Sequence, residues 1–258
     1  MIVATFNVNS VRSRLDIVCN WLTKNKPDVL CLQETKVVDA DFPEQPFNAL
    51  GYHAVYRGEK SYNGVAILSQ KPPDQCSFGL DDGGPADEPR MAYARFGKLH
   101  VVNTYVPQGR EIDHAMYQYK LEWLKRLKQY FSRHFKPSDL LLWTGDLNVA
   151  PDFPDIHNAE KQLQHVCFHE AVRKQFADTV AWGFTDLFRN FHPEPGQYTF
   201  FDYRTPNAVK RGMGWRIDHI MVTKPLCKKA LNCWIDIEPR LMEKPSDHTI
   251  LAAEFDKC

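Results

Sequence analysis

The order of apolar and polar positions predicts strands and helices from the first residues onward. Residues 2–8 are rich in β-prone side chains and end in the polar stretch NVNS. Apolar residues then recur at spacings of three and four, at Leu15, Val18, Cys19 and Leu22, as on one face of a helix. The short apolar run DVLCLQE follows at residues 28–34. This order predicts a strand, an amphipathic helix and a second strand.

The same patterns predict the remaining elements. We expect strands within residues 51–58 and 63–70, then a loop rich in Gly, Pro and Asp around residues 79–89. Residues 91–109 are expected to form a hairpin that turns at Gly97 and Lys98. A long helix from about Asp113 to His134 leads into a strand that starts at Leu140. Helical pieces are expected within residues 155–192, and further strands at 197–204, 216–224, 233–238 and 248–255.

Composition indicates one globular unit. The 258 residues are 43% hydrophobic and 25% charged, and no apolar stretch is long enough to cross a membrane. No repeat, low-complexity segment or shift of composition divides the chain. We therefore expect an α/β fold in which helices cover sheets, as a single domain over residues 1–258, without a membrane partner and as a monomer.

The cysteines and the first residues favour a cytoplasmic, reducing location. Seven cysteines form an odd set without CxxC spacing, and Cys19 and Cys31 fall within apolar patterns, where reduced cysteine behaves as a small hydrophobic residue. The segment MIVATFNVNS lacks the basic and apolar parts of a secretory signal. We expect no thiolate metal site, since paired spacing is missing.

Charge restricts any polyanion site to a local patch. Thirty-two basic and thirty-two acidic residues cancel, so no overall positive charge favours nucleic acid. The best basic patch is the segment YRTPNAVKRGMGWR, with Arg204, Lys210, Arg211 and Arg216. A solvated loop is the simpler interpretation of such a patch. A loop that contacts phosphates is the alternative.

Polar side chains recur where predicted strands end. After the apolar run LLLW, the chain places Asp146 and Asn148 just past a strand end, where ligands bind in open α/β sheets. Gly-Asp-Leu-Asn would also suit a simple turn. The pattern is repeated too often for turns alone, and it indicates metal-assisted hydrolysis. The complete set is Asn7, Glu34, Tyr105, Asp146, Asn148, Asp218, Asp247 and His248.

Seven segments in one order resemble the exonuclease III and AP endonuclease family, within the endonuclease, exonuclease and phosphatase superfamily. They are FNVN, LQETK, NGVAILS, YVPQG, GDLN, GWRIDH and PSDH, and they span essentially the whole chain. The resemblance implies a two-sheet α/β sandwich flanked by helices, like deoxyribonuclease I, with a site where loops from both sheets converge. It also implies cleavage of DNA phosphodiesters at abasic sites, with 3′ to 5′ exonuclease or 3′-end-cleaning activity varying among members.

The chemistry of phosphodiester hydrolysis assigns roles to these residues. In-line attack needs a base for the water, and Asp146 suits it, while Asn148, two residues on in an extended segment, would hold the water or a phosphate oxygen. Glu34 is the best ligand for Mg²⁺, with Mn²⁺ as an alternative. Asp247 is predicted as a second or water-mediated ligand.

Four further side chains complete the predicted site. His248 would donate to a phosphate oxygen if Asp218 accepts from its other ring nitrogen and fixes the tautomer. Asn7 and Tyr105 would act as neutral donors around the phosphate. Solvated strand ends, or a salt bridge between Asp218 and Arg216, are the simpler alternatives. The other histidines that we considered, at 53, 100, 114, 134, 157, 165, 169 and 192, are expected to be structural or exposed.

The resemblance also implies a substrate pocket. Phe200, Trp215 and Ile217 fall at positions that form a slot for an extrahelical, base-less sugar, although core packing is the default for such residues. Asn9 stands where some relatives carry Asp, so a carboxylate near the metal is missing, and we group Asn9 with the substrate-binding residues. Backbone contacts are assigned to Arg110, Arg204, Lys210 and Arg211.

The expected substrate is therefore double-stranded DNA with abasic or 3′-blocked sites. One alternative lies within the superfamily, as a phosphodiesterase acting on RNA, lipid or small phosphoesters. A second alternative is a catalytically inactive module that binds DNA without turnover.

Overall fold

The computed structural model describes residues 1–256, and the predicted elements occur in the expected order except at residues 197–204. Residues 44–49, 75–78, 224–227 and 238–241 form further elements that the sequence did not predict. The strands are β1 (Ile2–Asn7), β2 (Val29–Gln33), β3 (His53–Arg57), β4 (Val65–Ser69), β5 (Gln75–Phe78), β6 (Met91–Phe96), β7 (Leu99–Tyr105), β8 (Leu140–Asp146), β9 (Phe184–Asp186), β10 (Asp218–Thr223), β11 (Ala230–Asp236) and β12 (Ile250–Phe255). The helices are α1 (Leu15–Asn25), α2 (Glu44–Ala49), α3 (Ala115–His134), α4 (Glu170–Val180), α5 (Leu187–Phe191), α6 (Lys224–Cys227) and α7 (Glu238–Leu241). Cys258, one of the cysteines counted above, lies outside the described residues.

The strands form two six-stranded sheets of similar design. The first sheet has the order β11-β12-β1-β2-β4-β3, and the second has the order β5-β6-β7-β8-β10-β9. Each contains one parallel pair at its centre, β1 with β2 and β7 with β8, and the other pairs are antiparallel. α1 connects the first parallel pair and α3 the second, because parallel neighbours need a crossover.

Alternation along the central strands explains why the sheets stack with helices outside. In β2, Cys31 points into the cluster between the two sheets, while Leu30 and Leu32 point into the cluster under α1. α1 buries Trp21 and Leu22 in that outer cluster. Because both faces are apolar, each central strand is covered on both sides. The predicted two-sheet sandwich flanked by helices is confirmed.

A polar contact joins the sheets close to their shared edge. Gln33, the last residue of β2, donates from Nε2 to Asn103 Oδ1 of β7 at 2.7 Å, and both side chains are fully buried. Asn103 in turn donates to the carbonyl oxygens of Leu32 and Ala66, both at 2.9 Å. Buried polar groups are normally hydrogen-bonded, and the side-chain N–H groups of both amides have acceptors here. These hydrogen bonds fix the position of one sheet relative to the other.

Two expectations from the sequence were wrong. Residues 197–204 form isolated bridges instead of a strand, because Phe200 pairs with Trp215 on one side and with His248 on the other. Arg216 belongs to no phosphate-binding patch, since its guanidinium is fully buried against Asp155 and Asp186. It alternates with two pocket residues along an extended segment, so its side chain points the opposite way.

Residues 155–192 fold as short helices, as expected, but they also contain strand β9, which periodicity did not indicate. Among residues 1–256, none of the helices combines the length and apolarity that a membrane span requires.

Candidate active site

The central parallel strands deliver four of the predicted residues to one edge. Asn7 and Tyr105 are the last residues of β1 and β7, Asp146 is the last of β8, and Glu34 follows β2. Asp218, the first residue of β10, pairs in register with Asp146. Carboxyl ends of parallel strands border a common crevice, so side chains far apart in sequence meet there.

The Asn7 side chain joins the two sheets at this edge. Its Nδ2 donates to Glu34 Oε1 and to Asp146 Oδ2, both at 2.8 Å. An amide has two hydrogens on that nitrogen, and both are used here. Asn7 therefore orients two carboxylates, whereas the sequence predicted that it donates to a phosphate.

His248 and Asp218 form the predicted pair. His248 Nδ1 lies 2.8 Å from Asp218 Oδ2, and both residues are buried. The other ring nitrogen, Nε2, lies 3.7 Å from Asp146 Oδ2. Burial alone would lower the pKa of His248, but Asp218 and Asp146 raise it to about 10. At neutral pH the ring is a cation, and Nε2 carries a proton to donate.

Asp146 is fitted to accept a proton. Burial raises its pKa to about 7, and the charges of Asp218 and Glu34 act in the same direction, while His248 opposes them. The pKa of the nearby Tyr105 phenol is raised well above its ordinary value by burial and by the charges of Glu34 and Asp146. Tyr105 therefore stays a neutral hydrogen-bond donor.

Glu34 has a partner that the sequence did not reveal. Lys36 Nζ lies 2.8 Å from Glu34 Oε2 and 2.6 Å from Asn9 Oδ1. Although burial disfavours the charged carboxylate, Lys36, Asn7 and His248 hold the pKa of Glu34 below its ordinary value. The only signal for Lys36 in the sequence was its place in the LQETK segment.

The donor set fits a hard divalent cation. Ligand atoms of Glu34, Asp146 and His248 all lie within 4.8 Å of one another. The two carboxylates are the oxygen donors that Mg²⁺ prefers, and a protonated His248 is a hydrogen-bond donor instead of a ligand. Asp247 borders the same pocket but is outside this group, and its Oδ1 accepts from Asn9 Nδ2 at 3.0 Å.

Asn148 reaches the site by a turn. The prediction that residues 146–148 form an extended segment was wrong. Its φ of +50° is left-handed, and its backbone N–H donates to Asp146 Oδ1 at 3.0 Å. Its Nδ2 donates to the Val106 carbonyl at 3.0 Å, which leaves one amide hydrogen for a ligand. Asn148 still borders the pocket beside Asp146.

A cleft of about 540 Å³ opens above these groups. Phe200, Trp215 and Ile217 line it, as the resemblance implied. Phe200 and Trp215 exchange backbone hydrogen bonds at 2.8 and 2.9 Å, which fixes the wall that they form. The Phe200 ring also packs on His248, with centroids 5.0 Å apart. Trp215 and Ile217 are also buried in the core, so these three residues form an apolar part of a largely polar wall, beside His248, which we call the apolar slot.

His165 also lines this cleft, although we expected a structural or exposed residue. Its ring centroid lies 4.4 Å from that of Trp215, and its Nδ1 accepts the Cys167 N–H at 3.2 Å. Burial, with the nearby charges of Lys120 and Arg204, lowers its pKa to about 4, so the ring is neutral and its proton is on Nε2. His157, Gln108 and Cys167 border the cleft as well.

The predicted phosphate-binding residues lie at different distances from the cleft. Arg204 borders it, is 90% exposed, and pairs with Asp202 at 2.7 Å. Lys210, Arg211 and Arg110 are exposed but do not line the cleft. Their contact with a nucleic acid remains a prediction.

Comparison with known proteins decides the family. Residues 4–248 match the model described as the Endonuclease/Exonuclease/phosphatase family. The chain belongs to this family. Exodeoxyribonuclease III of Haemophilus influenzae is 33% identical over 97% of this chain and 98% of its own length. An exodeoxyribonuclease of Bacillus subtilis is 30% identical over 88% and 89% of the two chains.

Solved structures agree with this Endonuclease/Exonuclease/phosphatase assignment over the whole chain. An AP endonuclease from Archaeoglobus fulgidus is 50% identical and superposes with a TM-score of 0.98, covering 100% of both chains. A 3′ phosphatase from Neisseria, bound to a product DNA hairpin, is 35% identical with a TM-score of 0.93 and the same coverage. The resemblance to the exonuclease III and AP endonuclease branch is confirmed.

Proposed function

We propose that this family member is a divalent-metal-dependent DNA repair nuclease that hydrolyses the phosphodiester 5′ to abasic sites. The observation that carries the proposal is the convergence of a proton acceptor and a cationic donor beside an apolar slot. Asp146 Oδ2 and His248 Nε2 lie 3.7 Å apart, and Phe200 and Trp215 line the adjacent cleft.

Asp146 is assigned to the attacking water. Burial holds the pKa of this carboxylate above its ordinary value, so it accepts a proton more readily than an exposed aspartate, as a general base requires. The Asn148 N–H bond to Oδ1 and the Asn7 bond to Oδ2 fix the orientation of the carboxylate. The remaining hydrogen on Asn148 Nδ2 is available to hold the water or a phosphate oxygen.

His248 and Tyr105 are assigned to the phosphoryl oxygens. Negative charge builds on those oxygens during in-line attack, and preorganised donors in a buried site stabilise it. His248, held protonated by Asp218, and the neutral Tyr105 phenol are such donors. Glu34 would hold Mg²⁺ or Mn²⁺, with Asp247 as a second or water-mediated ligand, and the cation would neutralise charge on the phosphate and leaving group.

The apolar part of the cleft wall supports an abasic substrate. A sugar without its base costs less to unstack from the duplex than an intact nucleotide, and it presents an apolar face. Phe200, Trp215 and Ile217 provide an apolar surface of matching character. Arg204, and on the outer surface Arg110, Lys210 and Arg211, would contact the DNA backbone.

Exonuclease and 3′-end-cleaning activities are proposed as secondary functions. Relatives of this chain are named exodeoxyribonuclease III and 3′ phosphatase. Hydrolysis of a 3′-terminal phosphoester needs the same acceptor, donors and cation as internal cleavage. The two activities would therefore share one site.

Product analysis on defined substrates tests the proposal. A duplex with one tetrahydrofuran abasic analogue is incubated with Mg²⁺, Mn²⁺ or EDTA, beside an intact duplex, a 3′-phosphorylated duplex, RNA and a small phosphodiester. We expect a metal-dependent break 5′ to the analogue, at a rate well above that on RNA. Asp146→Asn is the matched inactive control.

Two results would contradict the proposal. Preferential cleavage of RNA or the small phosphodiester would favour the alternative within the superfamily. Tight binding of the abasic duplex without turnover under any metal condition would favour the inactive DNA-binding module. The presence of the acceptor, the cationic donor and its orienting Asp218 argues against the second result.

A further inference from the structure

Lys120 is a fully buried cation behind the active site. It lies on the inner face of α3, among apolar residues, and its exposure is 0%. Its Nζ donates to the carbonyl oxygens of Gln108 at 3.1 Å, Asn148 at 2.7 Å and Val166 at 2.8 Å. An ammonium has three hydrogens, so its donors match these three acceptors.

The three carbonyl groups come from three separate segments of the site. Gln108 follows β7 and Tyr105, Asn148 follows β8 and Asp146, and Val166 lies between His165 and Cys167. Gln108, Asn148, His165 and Cys167 all line the cleft. One side chain thus fixes the backbone of the segments that carry the water-holding amide and one wall of the slot.

The path of the Lys120 stem is itself tightly fitted. A Cβ placed on Gly109 would lie 3.4 Å from Lys120 Cδ and 3.3 Å from the Tyr117 ring. Gly109 has a φ of +102°, a conformation that other residues rarely adopt. The YVPQG segment therefore closes directly over the lysine stem.

Burial of an ammonium is costly, and lysine is almost never fully buried without a charged partner. Within residues 1–256, Lys120 takes part in no ion pair with a carboxylate. A leucine or methionine would fill the same core position at lower cost. Its partners are three backbone carbonyl groups and, at 3.9 Å, the Sγ of Cys167, and their position around one cleft points to a function in arranging that cleft.

We propose that Lys120 is a positioning residue, which holds the Gln108, Asn148 and Val166 segments in the geometry needed for catalysis. The inference rests on the proposed nuclease function. It assigns Lys120 no contact with DNA, metal or the reacting atoms.

The test compares Lys120→Met, which keeps the volume and removes the donors, with Lys120→Gln, which keeps an amide donor. Lys125→Met, on the exposed face of the same helix, is the matched control. Steady-state cleavage of the abasic duplex is measured well below the unfolding midpoint of each variant. Amide hydrogen exchange is measured on the same samples.

We expect Lys120→Met to lower kcat on the order of 10- to 100-fold, since a displacement of about 1 Å costs that much, while KM stays near the wild-type value. Lys120→Gln should recover part of kcat. Exchange should accelerate together in residues 106–110, 147–150 and 165–168, and remain unchanged in α1 and the first sheet. Lys125→Met should match the wild type.

Three results would overturn the inference. They are an unchanged kcat per folded molecule in Lys120→Met, a loss confined to KM, and faster exchange spread evenly over the fold. If Lys120→Met does not fold, Lys120→Gln carries the same test. If the wild-type protein cleaves no substrate, the proposed function has failed, and the exchange pattern still decides whether Lys120 holds the three segments.

Discussion

Replacement of Asp218 by asparagine tests the assignment of His248 most directly. The change keeps the volume and leaves an amide oxygen that can accept from His248 Nδ1, but it removes the negative charge that faces the imidazolium at 2.8 Å. A hydrogen bond to a charged group contributes about 1.5–3 kcal/mol and a neutral one about 0.5–1.5 kcal/mol, so the loss is about 1–1.5 kcal/mol. Since 1.36 kcal/mol corresponds to tenfold in rate, Asp218→Asn should slow the chemical step by about 5- to 13-fold.

The same substitution should change the pH profile. Asp218 and Asp146 raise the pKa of His248 to about 10, so the wild-type donor stays protonated through neutral pH. Without the Asp218 charge, the pKa falls, and the protonated form is lost as pH rises through the new, lower value. In Asp218→Asn, the rate of single-turnover cleavage should therefore begin to fall at a lower pH than in the wild type, on the alkaline side of the pH profile.

The assay is single-turnover cleavage of the abasic duplex with enzyme in excess, from pH 6 to pH 10. Asp178→Asn, an exposed carboxylate of α4 that pairs with Lys128, is the control. A rate within twofold of the wild type and an unshifted alkaline limb would refute the assignment of His248 as a cationic donor held by Asp218.

Three further outcomes are expected. Asp146→Asn should lower turnover by about two to four orders of magnitude, as loss of a general base does, with DNA binding retained in a gel-shift assay. Although burial opposes ionisation, Arg216 and His219 hold the pKa of Asp186 well below its usual range. The free energy of unfolding should then fall as pH drops below about 3.9, and urea unfolding of Asp186→Asn should show a flatter fall. DNA affinity should decrease with salt along a shallow slope, about 0.9 per phosphate contact, and a steep slope would reveal a basic face that we missed.

The strand-end residues were predictable because each central strand is a largely apolar run with a polar residue at its carboxyl end. Asn7, Tyr105 and Asp146 therefore stand out in the sequence. Parallel pairing of β1 with β2 and of β7 with β8 then places the carboxyl ends of these strands at one edge of the molecule. The predicted meeting of Glu34, Asp146 and His248 follows from that topology.

Other residues of the site carried no such signal. Lys36 lies beyond the end of β2 in a left-handed conformation, which periodicity does not encode. His165 lies in the stretch with the weakest apolar pattern, where its contact with Trp215 depends on tertiary packing. Arg216 was misassigned because closeness in sequence to other basic residues does not reveal which face of an extended segment a side chain occupies.

Asn7 contacts Glu34 beside the first sheet and Asp146 in the second sheet, so the site is complete only when both sheets have assembled. His248 comes just before β12, the neighbour of β1, so the last donor arrives only when the end of the chain is in place. A nascent or half-folded molecule that met DNA would carry separated fragments of the site. On the proposed function, the genome would be protected from stray nicking until synthesis and folding are both finished.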